Sequence, residues 1–245
     1  ARSFNTMAGE LSDLERLRRS FVANVSHELR SPLTSISGFL EAMQDGTIPK
    51  ERHAEYLALV VTETHRMTEM VNDLLSLARM ESGQVPLKLQ QFDLNELALR
   101  MLVTFEARIN QKKLQVELKL LKPRCSVEGD REQLAQVLRN LIDNAIKFSN
   151  QHSDINVILY VNTTNYDLIV KDHGIGIEES QLRNIFVLGK VSTGRGTMGE
   201  SGTGLGLVLV KEFVEKINWH IDVKSKVNAG TEFIISIPKT NDILS

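Results

Sequence analysis

Val22, Val25, Leu29, Leu33, Ile36, Leu40 and Met43 recur at steps of three and four, the spacing of an apolar seam on a long helix. The stretch QDGTIP, 44–49, then supplies the turn residues that stop it. A second stripe follows in Leu57, Val60, Thr64, Met67, Val71, Leu74 and Ala78. Two long helices joined by a short loop make a helical hairpin. A lone hairpin cannot cover both stripes, so the pattern predicts a homodimer that completes a four-helix bundle.

MESGQVP, 80–86, breaks the helical period and reads as an interdomain connection. Beyond it the periods mix. Helices are expected at about 93–111, 130–148, 178–186 and 205–217. Alternating, β-branched runs predict strands at 115–120, 156–161, 166–171, 220–225 and 232–237. The fold class expected is therefore multidomain, α then α+β: a hairpin, then helices layered on a mostly antiparallel sheet.

Composition narrows the function classes. The chain has 245 residues, 42% of them hydrophobic, so it can bury real cores. A net charge of -2 gives no bulk pull toward nucleic acid. Cys125 is the only cysteine, which excludes an intramolecular disulfide and any multi-cysteine zinc site. No apolar run approaches the ~18–20 residues of a membrane span, so the chain itself is expected to be soluble.

The stretch VSHELRSPLTSI, 25–36, carries the first candidate chemistry. At about 100° per residue, His27 lies about 200° from the seam residues Val25 and Leu29, and so faces outward. A surface histidine is the bland reading. Here, however, Glu28 can fix one ring nitrogen and accept a proton, leaving the other nitrogen nucleophilic. Pro32 removes an N–H and crowds the Glu28 carbonyl one turn back. A zinc peptidase would need a second histidine at position 31, which is Ser31.

RNLIDNAIKFS, 139–149, sets Asn140, Asn144, Lys147 and Phe148 on one helix face. Two carboxamides and an ammonium can hold a hydrated Mg²⁺ and phosphate oxygens, although such a stripe alone also suits a solvated face. VKDHGIGI, 170–177, ends a strand on Asp172, which can accept from an exocyclic amine, with Gly174 and Gly176 allowing close approach. SGTGLGLVLVKEF, 201–213, places Gly202, Gly204 and Gly206 before a helical run, where N–H groups can meet phosphates. Glycines also mark plain turns. Neither loop is G-x-G-x-x-G and no G-K-[ST] occurs, which disfavours Rossmann and Walker sites. Between the loops FVLGKVSTGRGTMGE, 186–200, reads as a lid from which Lys190 and Arg195 reach the terminal phosphate.

Taken in order, these motifs resemble those of bacterial sensor histidine kinases of two-component signalling. VSHELRSPLTSI is similar to the phosphoacceptor box, NLIDNAIKFS to the asparagine box, and DHGIGI and GTGLGL to the two glycine boxes. The resemblance spans about 15–240. It implies a dimerisation and phosphotransfer hairpin followed by an ATP-binding sandwich of the gyrase, chaperone and histidine kinase type. The division implied is 1–15 as the end of a HAMP signal-relay helix, 16–82 as the phosphotransfer domain, 83–89 as linker and 90–245 as the catalytic domain. A membrane-anchored parent sensor follows, with this chain as its cytoplasmic part.

Carried over by resemblance, His27 is the phosphorylated residue, Glu28 its general base, and Asn144 the main Mg²⁺ ligand with Asn140 close by. Lys147 touches phosphate, Phe148 lines the adenine pocket, Asp172 accepts from the adenine amine, and Gly174 and Gly176 shape the pocket. Gly202, Thr203, Gly204, Leu205 and Gly206 hold the phosphate end. The cofactors implied are ATP and Mg²⁺; the partners are a second copy of the chain and the receiver domain of a response regulator. Ser31 stands where the family usually has Thr or Asn implicated in dephosphorylating that partner. VLGKVSTG replaces the usual aromatic-rich sequence after Phe186, and Asn218 and Trp219 replace a common Gly-Gly pair. Two other readings remain open: an ATPase of the same nucleotide fold without a protein acceptor, and a non-enzymatic dimeric scaffold.

Overall fold

A computed structural model describes residues 2–81, 86–121, 125–187, 196–198 and 204–239. The backbone divides into two compact units, the first built on 1–76 and the second beginning at Leu77. No described helix is long and apolar enough to cross a membrane.

In the first unit α1 (Arg2–Gln44) and α2 (His53–Glu81) flank a short 3-10 turn, Lys50–Arg52. The turn closes where expected. Gly46 takes a left-handed φ of 80°, Asp45 accepts from the Thr47 N–H at 2.8 Å, and Ile48 is buried. Phe39 and Tyr56 stack edge to face across the hairpin, 5.4 Å between centroids.

The covered seam matches the expected one only in part. On α1 the expected Val25, Leu29, Ile36 and Met43 lose exposure, joined by Phe21, Glu28, Pro32, Ser35, Phe39 and Ala42, whereas Val22, Leu33 and Leu40 stay exposed. On α2 reduced exposure falls on His53, Tyr56, Val60, Glu63, Met67, Met70, Leu74 and Leu77, and Leu57 and Val71 stay exposed. The apolar face of each helix is wider than the stripe the hairpin covers. The sequence pattern merged a covered stripe with an uncovered one.

The second unit runs β1 (Leu89–Asp93), α3 (Leu94–Thr104), α4 (Glu106–Lys112), β2 (Gln115–Lys119), β3 (Ser126–Asp130) and α5 (Arg131–Phe148). It continues with β4 (Asp154–Val161), β5 (Asn165–Asp172), α6 (Glu179–Leu182), α7 (Gly206–Lys216), β6 (His220–Lys226) and β7 (Gly230–Pro238). The five-stranded sheet has order β2-β4-β5-β7-β6; only the β2–β4 pair is parallel. The core lies between Val157, Leu168, Val170 and Ile235 of the sheet and Leu97, Leu138, Leu141, Val210 and Phe213 of α3, α5 and α7. Each fully buried leucine contributes about 1.5–3 kcal/mol, so α5 is fixed chiefly by its apolar side. That leaves its polar side to face the site.

Three expectations change. The single helix expected over 93–111 breaks at Phe105, whose side chain turns into the core and whose N–H bonds the Leu102 carbonyl. The helix expected at 178–186 is only Glu179–Leu182. β1 and β3 were not foreseen. They pair antiparallel to each other, yet Phe92 alone is buried in β1, too little alternation to signal a strand. Asn218 sits at φ 56°, left-handed at the end of α7. Asparagine tolerates that region, which accounts for its standing in a glycine position.

Candidate functional site

His27 is exposed on α1, as its helical phase required. Glu28, one residue on, falls in the covered stripe and accepts from Arg66 Nη2 of α2 at 3.1 Å. Arg66 also approaches Glu63, at 3.6 Å. The carboxylate beside the histidine is thus held from the opposite helix by a partner that motif reading missed. The available signal was a charged Glu63-x-x-Arg66 pair inside an otherwise apolar stripe. Pro32 is buried within α1, where it leaves the Glu28 carbonyl without its helical donor. Ser31 is exposed.

In the second unit the site grows from α5. Asn140 and Asn144 lie one turn apart on its half-buried side. The Asn140 Nδ2 donates to the Gly206 carbonyl at 3.0 Å, tying the start of α7 to α5 and leaving the carboxamide oxygen as an acceptor. The Asn144 side chain has no hydrogen-bond partner among the described residues. Two carboxamide oxygens are hard donors suited to Mg²⁺. Among the described residues no three His, Cys, Asp or Glu side chains converge, so a cation here would complete its shell with water and phosphate oxygens.

Lys147 is buried, with its ammonium 4.9 Å over the Phe148 ring. The C-terminal end of α5 is capped by Lys112, 2% exposed, whose Nζ donates to the Ile146 and Lys147 carbonyls at 2.8 and 2.9 Å. A cation there also suits the negative end of the helix dipole. Thr197 joins the same end: its N–H donates to the Lys147 carbonyl at 3.0 Å and its hydroxyl to the Ser149 carbonyl at 2.6 Å. Neither Lys112 nor Thr197 was legible as part of the site.

Asp172, 5% exposed, closes β5. Its Oδ1 accepts from the Gly174 N–H at 2.9 Å and the Thr231 N–H at 3.2 Å, and Oδ2 has no partner among the described residues. Burial pushes the carboxyl above its ordinary value, opposed by those two N–H groups and by His173. Such a group can accept from an amine at the pocket. Thr231 is the missed residue here. A Gly-Thr pair opening a strand was the signal, since Gly230 takes φ 96° and runs against the Asp172 backbone.

Gly174 is tightly enclosed. A Cβ would overlap the Phe148 carbonyl, which also accepts from the Ile175 N–H at 3.2 Å. Gly174→Ala should therefore push the first glycine loop off α5 and weaken nucleotide binding at least tenfold, read by titration with a fluorescent nucleotide. Unchanged affinity would mean that this close approach does not shape the pocket. Gly176 follows in the same loop, Gly204 and Leu205 precede α7, and Gly206 begins it. Lys190, Arg195, Gly202 and Thr203 lie outside the described residues.

Comparison with known proteins agrees with both units. The family described as His Kinase A (phospho-acceptor) domain matches residues 17–83. The family described as Histidine kinase-, DNA gyrase B-, and HSP90-like ATPase matches 129–241. Sensor protein SrrB of Staphylococcus aureus is 34% identical over 229 residues, covering 93% of this chain. The chain spans only 39% of that relative's length. The structure of the Acinetobacter baumannii histidine kinase AdeS superposes with a TM-score of 0.68 at 30% identity, covering 88% of this chain and 98% of AdeS. Histidine kinase ThkA, solved in complex with response regulator protein TrrA, gives 0.71 at 25% identity, with 98% and 64% covered. With its motifs, its two units and these relatives in agreement, the chain belongs to the bacterial sensor histidine kinase family.

Proposed function

We propose that this chain transfers the γ-phosphoryl group of ATP to its own His27 and passes it on to an aspartate of a response regulator. The observation that carries the reading is that one chain holds, in its hairpin unit, an outward imidazole flanked by a tethered carboxylate and, in its second unit, the buried Asp172 carboxylate and the half-buried Asn140 and Asn144 of α5. Asp172 accepts from the adenine amine, Phe148 lines the ring pocket, and Lys147, its ammonium over the Phe148 ring, touches phosphate. Asn140 and Asn144 hold Mg²⁺, which supplies charge neutralisation at the phosphate oxygens. Gly202, Thr203, Gly204, Leu205 and Gly206, with Lys190 and Arg195, serve the phosphate end.

An unprotonated ring nitrogen of His27 attacks the γ-phosphorus in line; a P–N bond forms as the bond to the ADP oxygen breaks. Glu28 orients the ring and takes the proton from the other nitrogen, while Arg66 fixes where that carboxylate sits. An aspartate of the regulator then attacks the phosphohistidine. Ser31 retains a hydroxyl able to orient a water toward the phosphorylated regulator. ThkA was solved with a response regulator, which supports the same partner class here. The exposed stripe of Val22, Leu33, Leu40, Leu57 and Val71 supports a second copy completing a four-helix bundle. We retain the division 1–15, 16–82, 83–89 and 90–245, and place the chain as the cytoplasmic part of a longer, membrane-anchored sensor.

Incubation with γ-³²P-ATP and magnesium should give a phosphoprotein stable to base and labile to acid. Steady ADP release without such a species would favour the plain ATPase reading instead.

A further inference from the structure

Asp130 is buried, 4% exposed, at the junction of β3 and α5, and it belongs to none of the boxes above. Its Oδ1 accepts from the N–H groups of Glu132 and Gln133 at 3.1 Å each, an N-cap on the helix that carries Asn140 and Asn144. Its Oδ2 does something else. It accepts from the Lys88 N–H at 3.0 Å, in the segment that joins α2 to β1. Directly beyond Lys88 the β1–β3 ladder begins, with Leu89 opposite Asp130. Leu87, the residue before, packs on the core. One carboxylate therefore joins the interdomain connection to the nucleotide-binding helix.

We propose that Asp130 is a positioning residue for phosphotransfer: it pins the connection at Lys88 to the N-terminus of α5, so that the chain enters the nucleotide-binding unit in one fixed direction. The proposal rests on the phosphotransfer reading above. In-line attack requires the ring nitrogen within about 3–3.5 Å of phosphorus with aligned orbitals, and each extra orientation open to the connected unit dilutes that geometry. Asn140 stands about 15 Å along α5 from Asp130, at 1.5 Å per residue, so this carboxylate cannot touch the phosphates itself. Its action is transmitted through the backbone.

Asp130→Asn separates the two duties. The amide oxygen keeps the cap, at which Asn and Asp are about equally good, but the amide nitrogen now faces the Lys88 N–H donor to donor. Amide exchange in the full chain should show Lys88 at least tenfold less protected while Glu132 and Gln133 keep their protection. The affinity for a trinitrophenyl-ATP probe should stay within twofold, and the initial rate of His27 labelling at saturating ATP should fall at least tenfold. Asp130→Ala, which removes the cap too, should lower probe affinity as well as rate. Unchanged Lys88 exchange in Asp130→Asn overturns the clamp. A parental labelling rate, or a fall in rate matched by the fall in affinity, reduces Asp130 to an ordinary helix cap and overturns its positioning role. Failure of the phosphotransfer reading is visible separately, as an unlabelled parent protein, while the exchange measurement still tests the clamp.

Discussion

His27→Ala abolishes incorporation of ³²P from γ-labelled ATP and leaves nucleotide affinity within twofold of the parent; this is the largest effect expected of any single substitution. Labelling is lost because alanine offers no nucleophile, and the covalent step cannot be bypassed by binding energy. Affinity survives because His27 lies in the hairpin unit, whereas Asp172, Phe148 and the asparagines belong to the unit beginning at Leu77. Folding should also survive, since the imidazole is exposed and its removal opens no cavity in the covered stripe. Scintillation counting of acid-free gels, with a parallel fluorescent nucleotide titration, reads both halves. Persistent labelling would move the acceptor to another side chain and remove His27 from the mechanism.

What the sequence could and could not announce divides along physical lines. Helices with a strong apolar face were legible: α5 begins at its Asp130 cap and ends at Phe148, as its periodicity demanded. The phase of the hairpin seam was legible only in part. Helices with apolar residues on two adjacent stripes satisfy the same spacing whichever stripe the partner covers, so Val22, Leu33 and Leu40 were placed inward and stay exposed. Motif residues could be picked out because each motif is local in the chain, as Asp172 and Gly174 are. Residues that reach the site from distant segments carry no local pattern. Arg66 meets Glu28 across 38 positions, Lys112 caps α5 across 34, and Thr231 meets Asp172 across 59. β1 escaped because only Phe92 of its five residues is buried, and β3 because Val127 is its one buried apolar side chain.

The second large effect belongs to Asp172. Asp172→Asn should lower nucleotide affinity by about 10- to 100-fold, the equivalent of the roughly 1–3 kcal/mol charged for a buried polar group left facing the wrong partner. The asparagine oxygen still accepts from the Gly174 and Thr231 N–H groups, so the loop and the start of β7 keep their places. Its NH₂ then meets the exocyclic amine of adenine, donor against donor, where the carboxylate oxygen had accepted. Stability should move the other way. Burial raises this carboxyl above its ordinary value, so between that value and the raised one the folded chain binds more protons than the unfolded chain. The parent accordingly loses stability as pH rises through that interval, and at neutral pH it carries the cost of an ionised buried group. The asparagine variant, which has no proton to lose, should melt no lower than the parent at neutral pH and lose this contribution to its pH dependence. Nucleotide binding by the parent should weaken as pH falls through the same interval, because protonation removes the acceptor. Differential scanning fluorimetry across pH, paired with nucleotide titration, separates the two effects. A variant that binds as tightly as the parent would show that Asp172 braces the glycine loop and β7 without reading the base.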